Sequence, residues 1–299
     1  MAFGRLVSVE SGAPGEMSTI VQDLFISFEI EMYLWCCNKA KIKIYNLSRE
    51  TANKMGEIKN IINMKASYAD ESSTIPPSAS NTIFWGQITK SKYGKEDVNT
   101  ILEIEAHDLA ANKGGSQVGN RMFVKSYKAG SLVQNAYNDI KSVLSFPIDG
   151  ADPYFGGMIY SGGMPFACLA TKALEKVLAK IDCKYTIQNG RIMIFDKNGK
   201  SSVSKGLTLD LESGLIKVEK LEQVISSKKS KKNKAGTRYK ITSLLFPQLI
   251  PGTQIKVNLP PLEAGTDQFG STQVQIESCK MWGDNFGGDF KAECEVKTV

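Results

Sequence analysis

Two short stretches of alternation near the start constrain this chain most. Leu24-Phe25-Ile26-Ser27-Phe28-Glu29-Ile30 and Ala40-Lys41-Ile42-Lys43-Ile44-Tyr45 put apolar side chains at every second position. A period of two is that of a strand with one face on a core and the other on water; in a helix the same residues would scatter around the whole circumference. The opening third therefore reads as β structure. Further strands are expected from Ile61 to Tyr68 and from Thr82 to Lys90, and, after a turn at Gly94-Lys95-Glu96-Asp97, along Ile101-Leu102-Glu103-Ile104-Glu105-Ala106. Ser48 is placed to cap a short helix through Met55, with Glu50 in its first turn, where the helix dipole favours a carboxylate. The Ser/Pro content of Asp70 to Ser80 marks an exposed loop. These elements predict a small barrel or sandwich.

The period changes beyond Asp108. Leu132, Val133, Ala136, Tyr137, Ile140, Val143 and Leu144 recur at steps of three and four, and so do Leu169, Ala170, Ala173, Leu174, Val177, Leu178 and Ile181. Both are amphipathic helices by pattern. Pro147 to Pro165, between them, is rich in Gly and Tyr. Asn189-Gly190 between Tyr185-Thr186-Ile187 and Ile192-Met193-Ile194 signals a tight hairpin. The last third returns to strands, with alternation at Leu207, Leu209 and Leu211 and at Val274 and Ile276. Its final hairpin, Val274 to Met281 and Lys291 to Lys297, has the layout of Ile83 to Lys90 followed by Val98 to Ala106, which suggests a duplication. The fold class expected is α+β, mainly β, with domains over 1–110, 111–204 and 205–299.

Composition narrows the chemistry. At 299 residues, with 42% hydrophobic and 23% charged, the chain has the make-up of globular proteins rather than disordered or fibrous ones. It has no apolar run of about 18 residues, and Met1-Ala2-Phe3-Gly4-Arg5 does not open a signal peptide, so a membrane anchor is not expected and a cytoplasmic origin is. The six cysteines (Cys36, Cys37, Cys168, Cys183, Cys279, Cys294) lack Cys-x-x-Cys spacing and read as buried free thiols. His107 is the single histidine, there is no Gly-x-Ser-x-Gly elbow, and so no Ser/His/Asp triad is expected. No metal site, cofactor or catalytic residue is assigned. Gly199-Lys200-Ser201 lacks the first P-loop glycine, since Ile194 stands there, and the pairs Gly156-Gly157 and Gly162-Gly163 lack dinucleotide spacing. Glu103 and Glu105 share a strand face, read as the solvated one. The net charge of +6 is concentrated in Lys228, Lys229, Lys231, Lys232 and Lys234, a loop that is either solvated or in contact with DNA, an acidic partner or a channel wall.

Several segments together resemble the bacteriophage baseplate hub family. In the first third these are Ile44-Tyr45-Asn46-Leu47-Ser48-Arg49-Glu50-Thr51 and Ile83-Phe84-Trp85-Gly86-Gln87-Ile88. In the last third they are Ser213-Gly214-Leu215-Ile216, Ser243-Leu244-Leu245-Phe246-Pro247-Gln248-Leu249-Ile250-Pro251-Gly252 and Gly283-Asp284-Asn285-Phe286-Gly287-Gly288-Asp289-Phe290. Lys217, Glu219 and Met281-Trp282 depart from the family pattern. The resemblance implies two tube-like β-barrel domains from the two ends of the chain, with an α+β domain inserted between them. It implies a homotrimer whose six barrels match a sixfold tail tube on one face and a trimeric central spike on the other. The partners it implies are tail tube or distal tail proteins, the spike, other baseplate proteins, the tape measure protein and DNA in transit through the lumen. The place implied is the virion tail baseplate, assembled in the host cytoplasm. A tail-borne cell-wall hydrolase and a nucleic-acid-binding module are the alternatives.

Overall fold

The computed structural model describes residues 4–16, 19–69, 81–108, 121–221, 237–259 and 270–299. In chain order the elements are β1 (Gly4–Gly12), β2 (Thr19–Val21), β3 (Ile26–Tyr33), β4 (Lys39–Tyr45), α1 (Arg49–Met55), β5 (Ile61–Ala69), β6 (Thr82–Glu96) and β7 (Asn99–His107). There follow β8 (Met122–Tyr127), α2 (Val133–Val143), β9 (Ile148–Asp149), β10 (Met164–Leu169), α3 (Ala170–Leu178), β11 (Lys184–Gln188) and β12 (Arg191–Phe195). The remainder is β13 (Ser204–Leu209), β14 (Leu215–Lys220), β15 (Arg238–Leu244), β16 (Gln254–Leu259), β17 (Gly270–Asp284) and β18 (Phe290–Thr298). They form two compact units, Met1–Ala111 with Ser204–Val299, and Asn112–Val203.

The first unit is built on one sheet whose path runs β14-β15-β18-β17-β3-β4-β7-β6-β5-β1-β2, with β16 on β17 and β13 on β16. Alternation decides its faces: Ile26, Phe28, Ile30 and Met32 of β3, Ala40, Ile42 and Ile44 of β4, and Leu102, Ile104 and Ala106 of β7 all enter one core. Each large apolar side chain so buried contributes about 1.5–3 kcal/mol against solvent exposure. Ser48 caps α1 by accepting from the Thr51 amide, as its position before the helix requires.

The same strand order occurs twice in this sheet. β3-β4-β7-β6-β5-β1 is matched by β14-β15-β18-β17-β16-β13, and the matching strands follow each other along the chain in the same succession. In both halves a 15-residue strand precedes a 9-residue partner. In both, a bulge shifts the register at the same place, between Ile88 and Lys90 and between Ile276 and Ser278. Lys92 thus corresponds to Lys280, Glu103 and Glu105 to Glu293 and Glu295, Lys41 to Lys240 and Glu29 to Glu219. The halves differ at the rim, where β1 is antiparallel to β5 but β13 is parallel to β16.

Hydrogen bonding draws one open sheet here and closes neither half into a barrel among the described residues. The reason is β17, which bonds β16 through Gly270–Gln275 and then, past its bulge, bonds β3 through Ser278–Asp284. Leu211, expected to continue a strand, lies in the turn after β13 and is 69% exposed.

The second unit packs α2 and α3 together, with a ribbon of β8 and β10 and a sheet of order β11-β12-β9. Val133, Ala136, Tyr137 and Ile140 of α2 and Ala173, Leu174 and Val177 of α3 are fully buried, as the helical period requires. Asn189 and Gly190 both take positive φ, 49° and 71°, which gives the tight turn between β11 and β12.

Candidate functional site

The face of the large sheet opposite its core is a ladder of charges. Its outward positions belong to eight consecutive strands, β14 through β6 along the path. Glu219 on β14 faces Lys240 on β15, which faces Glu295 on β18; Glu293 faces Lys280 on β17, and Lys280 faces Glu31 on β3. Glu29 then faces Lys41 on β4, Lys41 faces Glu105 and Lys43 faces Glu103 on β7, and these carboxylates face Lys90 and Lys92 on β6. Along these facing residues acid and base therefore alternate from strand to strand.

The charges meet as well as alternate. Lys43 Nζ lies 2.8 Å from Glu103, Lys90 Nζ 3.0 Å from Glu105, Lys240 Nζ 2.9 Å from Glu293 and Lys280 Nζ 2.5 Å from Glu29. The hydrogen bond from Lys43 holds the Glu103 carboxyl below its ordinary value, and that from Lys90 does the same for Glu105. The hydrogen bonds they donate to Glu103, Glu293 and Glu29 likewise raise the Lys43, Lys240 and Lys280 ammonium groups. Glu103 and Glu105 are thus ionised partners of lysines, on the solvated side where alternation puts them. Exposed pairs of this kind are screened by water and each contribute little to stability. Their effect on the surroundings is larger, because strands spaced about 4.8 Å apart cancel one another's fields well inside the ~8 Å screening length of physiological salt.

At one end of this face the β17–β18 turn is held from several sides. Asp284 Oδ1 accepts from the amides of Phe286, Gly287 and Gly288 at 2.8, 2.8 and 3.1 Å. Asn285 bridges to β3, accepting from the Ile26 amide at 2.9 Å and donating to the Leu24 carbonyl at 2.7 Å. Arg5 stacks on Phe290, 5.3 Å from its ring centre, and Tyr68 donates to the Phe290 carbonyl at 2.9 Å. Two open clefts flank the turn, one of about 560 Å3 beside Trp282 and Asp289 and one of about 530 Å3 beside Arg5 and Tyr68. Phe286, at the tip, packs edge-on against Phe25 yet remains 81% exposed.

The other residues singled out by sequence behave locally. Burial, and Lys39 next, push the His107 imidazole below its ordinary value. Gly199-Lys200-Ser201 ends a turn in which Asp196 Oδ1 accepts from the amides of Asn198 and Lys200, both at 2.8 Å. Cys279 and Cys294 are buried opposite each other on β17 and β18, with sulfurs 2.8 Å apart, whereas Cys36 is exposed. Lys228, Lys229, Lys231, Lys232 and Lys234 lie outside the described residues, as do Asp70 to Ser80. Among the described residues no cluster of His, Cys, Asp or Glu is placed to hold a metal, and no helix is long and apolar enough to cross a membrane.

No protein-family model matches the sequence, and neither does any curated protein. Solved structures do match. The 43 kDa tail protein of prophage MuSo2 from Shewanella oneidensis superposes with a TM-score of 0.53 at 10% identity, covering 99% of this chain and 96% of that one. The tail protein from Neisseria meningitidis MC58 gives 0.51 at 12% identity, with coverage of 99% and 97%. The E. coli c3393 protein, a type VI secretion component described as similar to the T4 tail proteins gp27 and gp5, gives 0.51 at 14% identity, with coverage of 92% and 73%. At these identities the likeness is one of fold. That fold is the one found in phage tail proteins and in a type VI secretion component, and it is mainly β with a helical insert.

Proposed function

We propose that this chain is a structural subunit of a phage tail, the baseplate hub that joins the tail tube to the central spike. The observation that carries the reading is the duplicated half-sheet, in which one chain supplies the same strand order twice. In a homotrimer six such halves form a ring with six near-equivalent seats for a sixfold tube, while the chain itself repeats three times, which suits a threefold spike. Each half is then a tube-like barrel domain, curved to its final closure by its neighbours in the ring, and the central unit is an insert between them. The tail fold of the solved relatives supports this placement in the virion. The charge-paired face supports a lumen wall along which DNA passes without adhering.

In this role the chain works by geometry and has no turnover. Its partners are the tube or distal tail proteins, the spike, other baseplate proteins and the tape measure protein. Sedimentation of the purified chain, alone and with the spike protein of the same tail, tests the reading: a trimer is expected, and a strict monomer in both mixtures overturns it. Hydrolysis of peptidoglycan by the pure chain would replace it with the hydrolase alternative.

A further inference from the structure

Two thiols sit at the seam where β17 leaves β16 and takes up β3. Cys279 lies one residue past Ser278, where the pairing with β3 begins, and faces Met32 of β3 on one side and Cys294 of β18 on the other. Cys294 in turn faces Ile241 of β15. The two cysteines are 2% and 1% exposed and belong to the core of the large sheet. Their sulfurs stand 2.8 Å apart, and a covalent S–S bond is about 2.04 Å long, so roughly 0.8 Å of approach separates the pair from a bridge. Directly opposed residues of antiparallel strands also stand within the Cα range that a disulfide spans. The duplication supplies a comparison within the chain. One residue along from the corresponding pairs Lys92–Glu103 and Lys280–Glu293, the counterparts of Cys279 and Cys294 are Ser91 and Ile104, which face each other across β6 and β7. A hydroxyl and a branched apolar side chain serve there, so the strand pairing itself makes no demand for two thiols.

We propose that Cys279 and Cys294 form a conditional cross-strand disulfide that clips β18 to β17, open in a reducing compartment and closed by a low-molecular disulfide, glutathione disulfide, in an oxidising one. The inference rests on this local geometry and is independent of the hub reading. One protein thiolate attacks a sulfur of glutathione disulfide and expels a glutathione thiolate; the second then displaces the remaining glutathione from the mixed disulfide. Two protein thiols are thereby oxidised to one S–S bond, one glutathione disulfide is reduced to two thiols, and the two protons pass to the departing glutathione thiolates. Burial raises the Cys279 thiol well above its ordinary value, and the thiolate is the attacking species. Exchange therefore proceeds when β17 opens from β18, or before the two have closed in folding, and the packed core shields the pair at other times. Once made, the bridge spans 15 residues of chain and fastens β18 to the strand that joins the two half-sheets.

The test oxidises the full-length chain with glutathione disulfide in two samples, one folded and one refolding from urea, then blocks the remaining thiols with iodoacetamide and digests with trypsin. Cleavage after Lys280 and Lys291 puts the two cysteines on separate peptides, so mass spectrometry reads the bridge as a linked pair that dithiothreitol separates. The expected result is that pair in the refolding sample, the same pair forming more slowly in the folded one, and none from Cys294→Ala. Oxidised wild-type chain is expected to melt about 5–10 °C above its reduced form, and oxidised Cys294→Ala no higher than reduced Cys294→Ala. Absence of the linked peptides from both samples, or linkage of Cys279 to a cysteine other than Cys294, overturns the proposal. A linked pair with an unchanged or lowered melting midpoint overturns it as well, because the bond would then strain the sheet and not clip it.

Discussion

Gly86 shows how closely the backbone of β6 is fitted to its neighbour. A Cβ built there comes within 2.4 Å of the His107 carbonyl oxygen and 2.7 Å of the Phe84 ring. The first of these is backbone in a paired strand and cannot swing aside. Gly86→Ala is therefore expected to cost about 1–3 kcal/mol, the range for forcing volume into a packed site, read as a lower urea midpoint with an unchanged slope. The glycine itself was conspicuous in Ile83-Phe84-Trp85-Gly86, but its reason was not, because the atom it makes room for lies some twenty residues away on β7. Residues whose function is local were more legible. Ser48 before a helix and Asn189-Gly190 between two strands each sit where a backbone bond a few residues off needs them. The Lys90–Glu105 and Lys43–Glu103 bonds were illegible, since alternation says which face a side chain takes and says nothing of which strand lies beside it.

At the scale of elements, strands buried on one face were readable and those buried on both were not. β3 and β4 alternate cleanly between core and water. In β1, by contrast, Val7, Ser8 and Val9 are all buried in succession, and the period of two disappears. The short strands β8 and β16 carry too few residues to display a period at all. The charge ladder has a pH signature that follows from its direction of shift. Glu103 and Glu105 are depressed below the ordinary glutamate value of 4.5, so their contribution is complete above 4.5 and is lost as the pH falls through their lower folded values. Lys43 and Lys280 are raised above 10.5, so their contribution is complete below 10.5 and lost as the pH rises through the higher folded values. The ladder adds no pH dependence to a thermal melt between about 6 and 9, and any change near neutrality would show that other groups dominate. Replacing Glu29, Glu31, Glu293 and Glu295 together by Gln leaves Lys41, Lys240 and Lys280 with fewer opposing charges. The variant should hold duplex DNA several-fold more tightly than its parent at low salt, with a steeper loss of binding as salt rises. Equal affinity of the two proteins in a shift assay would mean that the pairing does not mask the lysines.

For the whole molecule, the layout of the final hairpin signalled that something was repeated. What sequence could not supply was the join, because β17 and β3 are separated by more than two hundred residues and share no motif. A chain stopped after residue 269 lacks β17 and β18 and so leaves β3 with a bare edge toward that side. Such a fragment is expected to aggregate or to bind hydrophobic dye when released from its full-length context, since a long unpaired strand is a template for unspecific pairing. A soluble, monomeric, dye-silent fragment would show that the first half stands without its seam. The seam also acts as a clock on synthesis. Until the ribosome has delivered β17, the early strands wait with an unfinished border, so the large sheet is completed only after more than two hundred further residues have followed β3.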